Sequence, residues 1–258
     1  MNEKRVNSPG DRLFDQIFQV WILPEIEKRQ KNGNLATPAT IQAVQIIFYD
    51  DSRPTEVRIN EEVKGGAYYS LKEPIDADIG TVVEVPIANV DELTKFELSE
   101  DEDPDCAHLT ALRTGNRWHI AFDLVYNKGK SSKYIAAAVE FIEAADYSLK
   151  REHYSAFIDN LFSAAELAAK AYLQTIGGYR LPENKSHKRV HSLYNIHAHL
   201  GNVESHKASV LNELMSLRGA ARYLNNEFFM SQEKGFQLLD TVLLMIDQAR
   251  QTVQFDSE

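Results

Sequence analysis

Cysteine is almost missing from this chain. Its 258 residues include one, Cys106. No disulfide can form within the chain, and no set of cysteines can hold zinc. That scarcity fits a reducing compartment. Long hydrophobic runs are missing too: nothing approaches the roughly 18 apolar residues of a membrane span. The opening MNEKRVNSPG lacks the apolar centre of a secretory signal. The expectation is a cytoplasmic protein that does not touch a membrane. There is no glycine-rich phosphate loop, no Lys-Ser/Thr pair after one, and no Gly-x-Ser-x-Gly elbow. The standard NTPase, kinase and serine-hydrolase chemistries are thereby excluded. Positive charge is also in deficit, with 28 Lys and Arg against 38 Asp and Glu, a net charge of −10. Such a chain repels phosphate, so any nucleic-acid site must be a local basic patch.

What is present divides into two halves. Up to Lys130 there are 23 acidic and 15 basic residues; beyond it the numbers are 15 and 13. The apolar share, 43%, is ample for a core in each half. In DRLFDQIFQVWILPEIEKRQ, Leu13, Ile17, Val20 and Trp21 recur at helical spacing. Asp11 is the expected N-cap, and Pro24 should kink or restart the helix. From Ile41 the pattern turns to strands: IQAVQIIFYD, TEVRIN, GAYYSL, TVVEVPI and TKFELS. HLTALRTGNRWHIAFDLVY reads as a hairpin turning at Thr114-Gly115-Asn116. SEDEDPD, from Ser99 to Asp105, reads as a solvated loop, because its spacing is not that of a calcium-binding loop.

NKGKSSK, Asn127 to Lys133, marks the expected boundary, with domains at 1–130 and 131–258. Beyond it the strand signals stop. YIAAAVEFIEAADYSLK, YSAFIDNLFSAAELAAKAYLQTI, LYNIHAHLG, ASVLNELMSLRGAARYLNNEFF and EKGFQLLDTVLLMIDQARQTV all carry helical stripes. Gly177-Gly178 should end the second of these as a C-cap. The fold class is therefore α+β: a helix with a mostly antiparallel sheet, followed by an all-α bundle.

Three features of the second half carry chemistry. Five of the eight histidines fall between His187 and His206, with His187 and His191 four residues apart. Polar neighbours and the lack of a defined acidic ligand make a surface role the plainer reading, and no metal or cofactor is assigned. KSHKR, Lys185 to Arg189, precedes a helix, so Lys185, Lys188 and Arg189 are candidates for holding a phosphate backbone; a solvated loop is the alternative. Arg218 stands among small residues, in LRGAARYL. An ion pair with Glu166 on a neighbouring helix would be a purely internal role for it. Gly219 inside a helix is disfavoured by about 1 kcal/mol against alanine, which suggests a close packing seam.

YSAFIDNLFSAAELAAKAYLQTIGG, HSLYNIHAHL and LNELMSLRGAARYL, in this order, resemble the HEPN family of small all-α domains from prokaryotic toxin, defence and RNA-processing systems. Glu166, Lys170 and Ala171 match its Glu-x-x-x-Lys-Ala helix, where Glu166 and Lys170 would orient the site. His191-Ser192-Leu193 matches its His-Ser/Asp-Leu signature. The resemblance implies paired protomers with an arginine in the cleft between them, and Arg218 fits that arginine. In active members a histidine follows after four to six residues, and the pair cuts RNA without metal. Here those positions hold Tyr223, Leu224 and Asn225. With a pKa near 10, about one tyrosine in a thousand is ionised at pH 7, which makes Tyr223 a poor general base.

Three functions follow as expectations. The first is a dimeric domain that binds RNA or a nucleotide-like ligand around Arg218 and Tyr223, with His191, Arg222 and Asn225 alongside. The N-terminal half would then sense a signal or bind a protein partner. The second is an active metal-independent endoribonuclease in which His191 or His153 replaces the missing histidine. The third is an adaptor whose bundle only forms homodimers.

Overall fold

The computed structural model of the chain describes residues 9–78, 80–177, 181, 187–223 and 230–253. It divides into two compact units. One comprises Met1–Asp103 and Ala107–Asp123, the other Pro104–Cys106 and Leu124–Glu258.

In the first unit, α1 (Pro9–Ile17) runs through one π-helical turn into α2 (Leu23–Lys31), with Pro24 in the first turn of α2. Proline is tolerated there because the first helical N–H groups need no partner. Asp11 lies within α1, so it is not the N-cap expected of it. Six strands follow: β1 (Ala43–Phe48), β2 (Glu56–Ile59), β3 (Gly65–Leu71), β4 (Val90–Leu98), β5 (Ala107–Thr114) and β6 (Arg117–Asp123). Four of them form an antiparallel sheet in the order β2-β1-β5-β6; β3 and β4 form a separate ribbon. The β5–β6 turn falls at Gly115, whose φ of 60° suits glycine.

Strand alternation sorts the two faces of the sheet. Val44, Ile46, Ile59 and Ala111 face Ile22 and Ile26 and form one core. On the other face of β1, β2 and β5 lie Gln45, Arg58, His108 and Thr110, polar yet buried. The ribbon packs there, with Phe96 against His108 and Tyr69 edge-on to His119.

Two expectations change here. SEDEDPD is not a freely solvated loop: Arg53 holds Asp103, Arg58 holds Glu102, and Lys64 holds both Asp101 and Glu102. TVVEVPI is not a strand: Thr81 to Pro86 lie outside every helix and strand, and TKFELS supplies β4 in the ribbon.

The second unit is helical: α3 (Lys128–Lys150), α4 (Tyr154–Gln174), α5 (His187–His199), α6 (Ser205–Tyr223) and α7 (Gln232–Val253). Helix α3 begins six residues before the apolar pattern at Tyr134, because Asp105 caps it. Its carboxylate accepts from the Gly129 N–H at 2.6 Å. Helix α4 is the axis of the bundle, packing against α3, α5, α6 and α7. Ala164, Ala165, Ala168, Ala169 and Ala171 are all buried. Alanine favours the helix and lets neighbours approach on every side.

The glycines divide differently from expectation. A Cβ on Gly177 would lie 2.5 Å from the Tyr126 ring, so close packing explains this glycine, and α4 is capped earlier, at Thr175. A Cβ on Gly235 would lie 2.4 Å from a Leu149 methyl, which makes this the tight seam between α3 and α7. Gly219 is exposed and its Cβ would meet nothing within 4 Å. Among the described residues, then, Gly219 serves no packing seam.

Candidate functional site

Helix periodicity puts Asp159, Phe162 and Glu166 on one stripe of α4, at steps of three and four residues. Helices α5 and α6 lie along that stripe. The first contact belongs to α6. Arg218 donates from Nε to Asp159 Oδ1 at 2.7 Å, and Arg222 donates from Nη2 to Asp159 Oδ2 at 2.9 Å. The expected partner Glu166 is therefore replaced by Asp159, two turns earlier on α4. Burial pushes the Asp159 carboxyl up. The hydrogen bonds from Arg222 and Arg218, and their charges, more than offset this and hold it below the usual carboxylate range.

The Arg218 guanidinium also lies over the Phe162 ring, 4.5 Å from its centre. One contact in the plane and one below it fix the orientation of the group. Among the described residues nothing accepts from Nη1 or Nη2 of Arg218, and its side chain is 24% exposed. An arginine held through Nε with its terminal amino groups unused suits a phosphate or carboxylate.

The second set of contacts belongs to α5. His187 and His191, four apart, both face α4, as their spacing implies for a helix. His187 Nδ1 pairs with the Glu166 carboxylate. His191 stacks on Phe162 with 5.8 Å between ring centres. Phe162 thus touches both His191 and Arg218. His191 is only 5% exposed, its Nδ1 lies 3.5 Å from Asn212 Oδ1, and its Nε2 is buried with no partner among the described residues. Burial pushes this imidazole below the usual histidine range, against the Asn212 contact and the Glu166 charge. Asn195 and Asn212 exchange amide hydrogen bonds at 3.1 and 2.8 Å and lock α5 to α6 beside it.

The other expected residues are distributed as follows. Lys170 is buried with its ammonium 4.7 Å from the centre of the Tyr134 ring, so it braces α4 against α3. Lys188 and Arg189 are exposed on the first turn of α5 and make no contact with Arg218. Tyr223 is the last residue of α6; its side chain, Lys185 and Asn225 lie outside the described residues. His153 precedes α4 and is exposed. Asp159 and Phe162, the residues that hold Arg218, are not among those expected from the sequence. The signal was available, since both share the stripe of Glu166.

The stacked, ion-paired arrangement of Arg218, Asp159 and Phe162 leaves guanidinium donors that can grip an anion. Among the described residues, the imidazole that shares Phe162 with Arg218, His191, is buried, and the exposed imidazole of α5, His187, is paired with Glu166. No described helix is long and apolar enough to cross a membrane. Residues 131–251 match the family model described as the HEPN domain. No curated protein matches the chain.

Proposed function

We propose that the C-terminal half, which matches the model of the HEPN domain, a family of nucleotide-binding and ribonuclease-like effector domains, pairs with a second copy and binds RNA or a nucleotide-like ligand at Arg218, without cleaving it. The observation that carries this reading is the state of Arg218. It is fixed by Asp159 and Phe162, with its terminal amino groups unused by the described residues. Cleavage needs a proton carrier within reach of the 2′-hydroxyl. Tyr223 stands where the family's histidine would, and His191, which shares Phe162 with Arg218, has its Nε2 sealed from solvent. Recognition is therefore favoured over turnover. The open backbone around Gly219, with Ala220 exposed beside it, favours close approach of a second α6. The setting we assign is prokaryotic defence or toxin–antitoxin, with the α/β unit as a sensing or partner-binding module.

The test is end-labelled RNA incubated in EDTA with wild type and Arg218→Ala. Binding without cleavage, weakened by the mutation, supports the reading. Cleavage by wild type alone would overturn it in favour of a live nuclease. Neither binding nor cleavage would leave an adaptor.

A further inference from the structure

The ribbon of β3 and β4 is closed by a long connection. Leu71 pairs with Val90, leaving residues 72–89 between them. Connections beyond about 12–15 residues are uncommon inside compact units and are mostly functional. This one is firmly clasped at its base. The Lys72 N–H donates to Asn89 O at 3.0 Å, and the Asn89 side chain bonds both the N–H and the C=O of Glu73 at 2.9 Å. Lys72 Nζ donates to Ala88 O.

Beyond the clasp the chain does something unusual for aliphatic residues. Val82 is fully exposed, and Val83, Val85 and Ile87 are all exposed with it. The N–H groups of Val82, Val83, Glu84 and Val85 donate to no backbone carbonyl of the described residues. The β-branched run Thr81-Val82-Val83-Glu84-Val85 has the composition of a strand and lies in no sheet. Exposed apolar groups together with unpaired backbone are what strand addition to another sheet would satisfy.

Charge selects the occupant. Glu73, Asp76, Asp78 and Glu84 lie in the connection, and Asp91 and Glu92 follow it. None of the six is ion-paired with a described residue, and the lone lysine, Lys72, is engaged at the clasp. A second copy would bring the same acids face to face, and nucleic acid would be repelled. We infer that residues 81–87 dock by strand addition onto the open sheet edge of a different protein, one flanked by lysine and arginine. This inference is independent of the Arg218 cleft.

The probe is a synthetic peptide alternating lysine with valine, titrated into the full chain, with a glutamate–valine peptide as the counterpart. The lysine peptide should bind saturably and slow amide exchange at Val82 to Val85. Val83→Pro should abolish both, while Val83→Glu, which keeps the backbone donor, should weaken binding about tenfold through lost apolar contact. Raising salt from about 50 to about 500 mM should also weaken it severalfold. Equal binding of the glutamate peptide would overturn the proposal by reducing the segment to nonspecific stickiness. So would unchanged exchange at Val82 to Val85. Exchange that slows with protein concentration alone would overturn it in favour of a second copy.

Discussion

Arg58 in the first unit and Arg218 in the second both sit among packed elements, and both meet carboxylates. Arg58 gives Nε to Glu56, Nη1 to Gln45 and Nη2 to Glu102, and its side chain is 9% exposed. Burial opposes its charge, but the bonds to Glu56 and Glu102 outweigh that and raise its pKa further. Arg218 gives Nε to Asp159 and covers Phe162, and there its engagement with the described residues ends. One arginine is consumed by its fold. The other is oriented by its fold and left with donors to offer. An ion pair alone does not distinguish these two arginines; the count of donors left over among the described residues does.

That contrast can be broken most forcefully at Arg58. Arg58→Ala leaves Glu102 buried without its guanidinium and should destabilise the first unit by about 3 kcal/mol. Thermal unfolding should report the loss, and RNA binding by the second unit should be unchanged. Arg218→Ala should do the reverse. Ligand affinity should fall about tenfold to a hundredfold, as expected for charge-assisted hydrogen bonds. The melting temperature should barely move, because the Asp159 pair is partly solvated. Equal loss of stability in the two variants would erase the distinction.

Acid sharpens the same comparison. Arg58 holds the Glu102 carboxyl below the usual range, against the effect of burial. A carboxyl whose folded pKa is lowered stabilises above its unfolded value, near 4.3, and that contribution is lost as pH falls through the lowered folded value. Asp159 obeys the same sign with more solvent around it. Glu102→Gln should therefore flatten the acid limb of a stability–pH curve more than Asp159→Asn does. His191 acts in a separate window. Its folded pKa is lowered, so its contribution is complete above about 6.5 and declines as pH falls from there towards the folded value. His191→Leu should remove that decline. The smallest effect belongs to Gly219. With open space at its Cβ, Gly219→Ala should add up to about 1 kcal/mol to helix stability. Gly219→Leu should leave the fold intact and shift a dimer towards monomer in sedimentation; an unchanged dimer would remove α6 from the interface.

The helices were legible because each shows one apolar stripe, and the β5–β6 hairpin because Gly115 marks its turn. An ion pair from Arg218 to a neighbouring helix was legible, as was the shared face of His187 and His191 from their spacing. The partner Asp159 was not legible, because a lone carboxylate on a helix surface looks solvated until a neighbouring helix brings two guanidinium groups to it. TVVEVPI misled for the opposite reason: its local preference for a strand is real, but the clasp at Asn89 keeps it away from the sheets. The acidic loop misled because its partners Arg53, Arg58 and Lys64 lie 37 to 50 residues away along the chain. Gly219 drew attention as a seam, while the glycine that opens a seam within the bundle is Gly235.

The reciprocal amide pair of Asn195 and Asn212 does more than hold two helices. Each amide offers one donor and one acceptor to the other, and Asn195 Nδ2 also donates to the His191 carbonyl at 2.7 Å, which sets the nitrogen end of Asn195 and with it the orientation of the pair. That fixes an oxygen, not an amino group, opposite His191 Nδ1. The proton of the neutral ring is thereby assigned to Nδ1, and the sealed Nε2 is left bare. A contact between α5 and α6 thus writes the tautomer of a ring that stacks on Phe162.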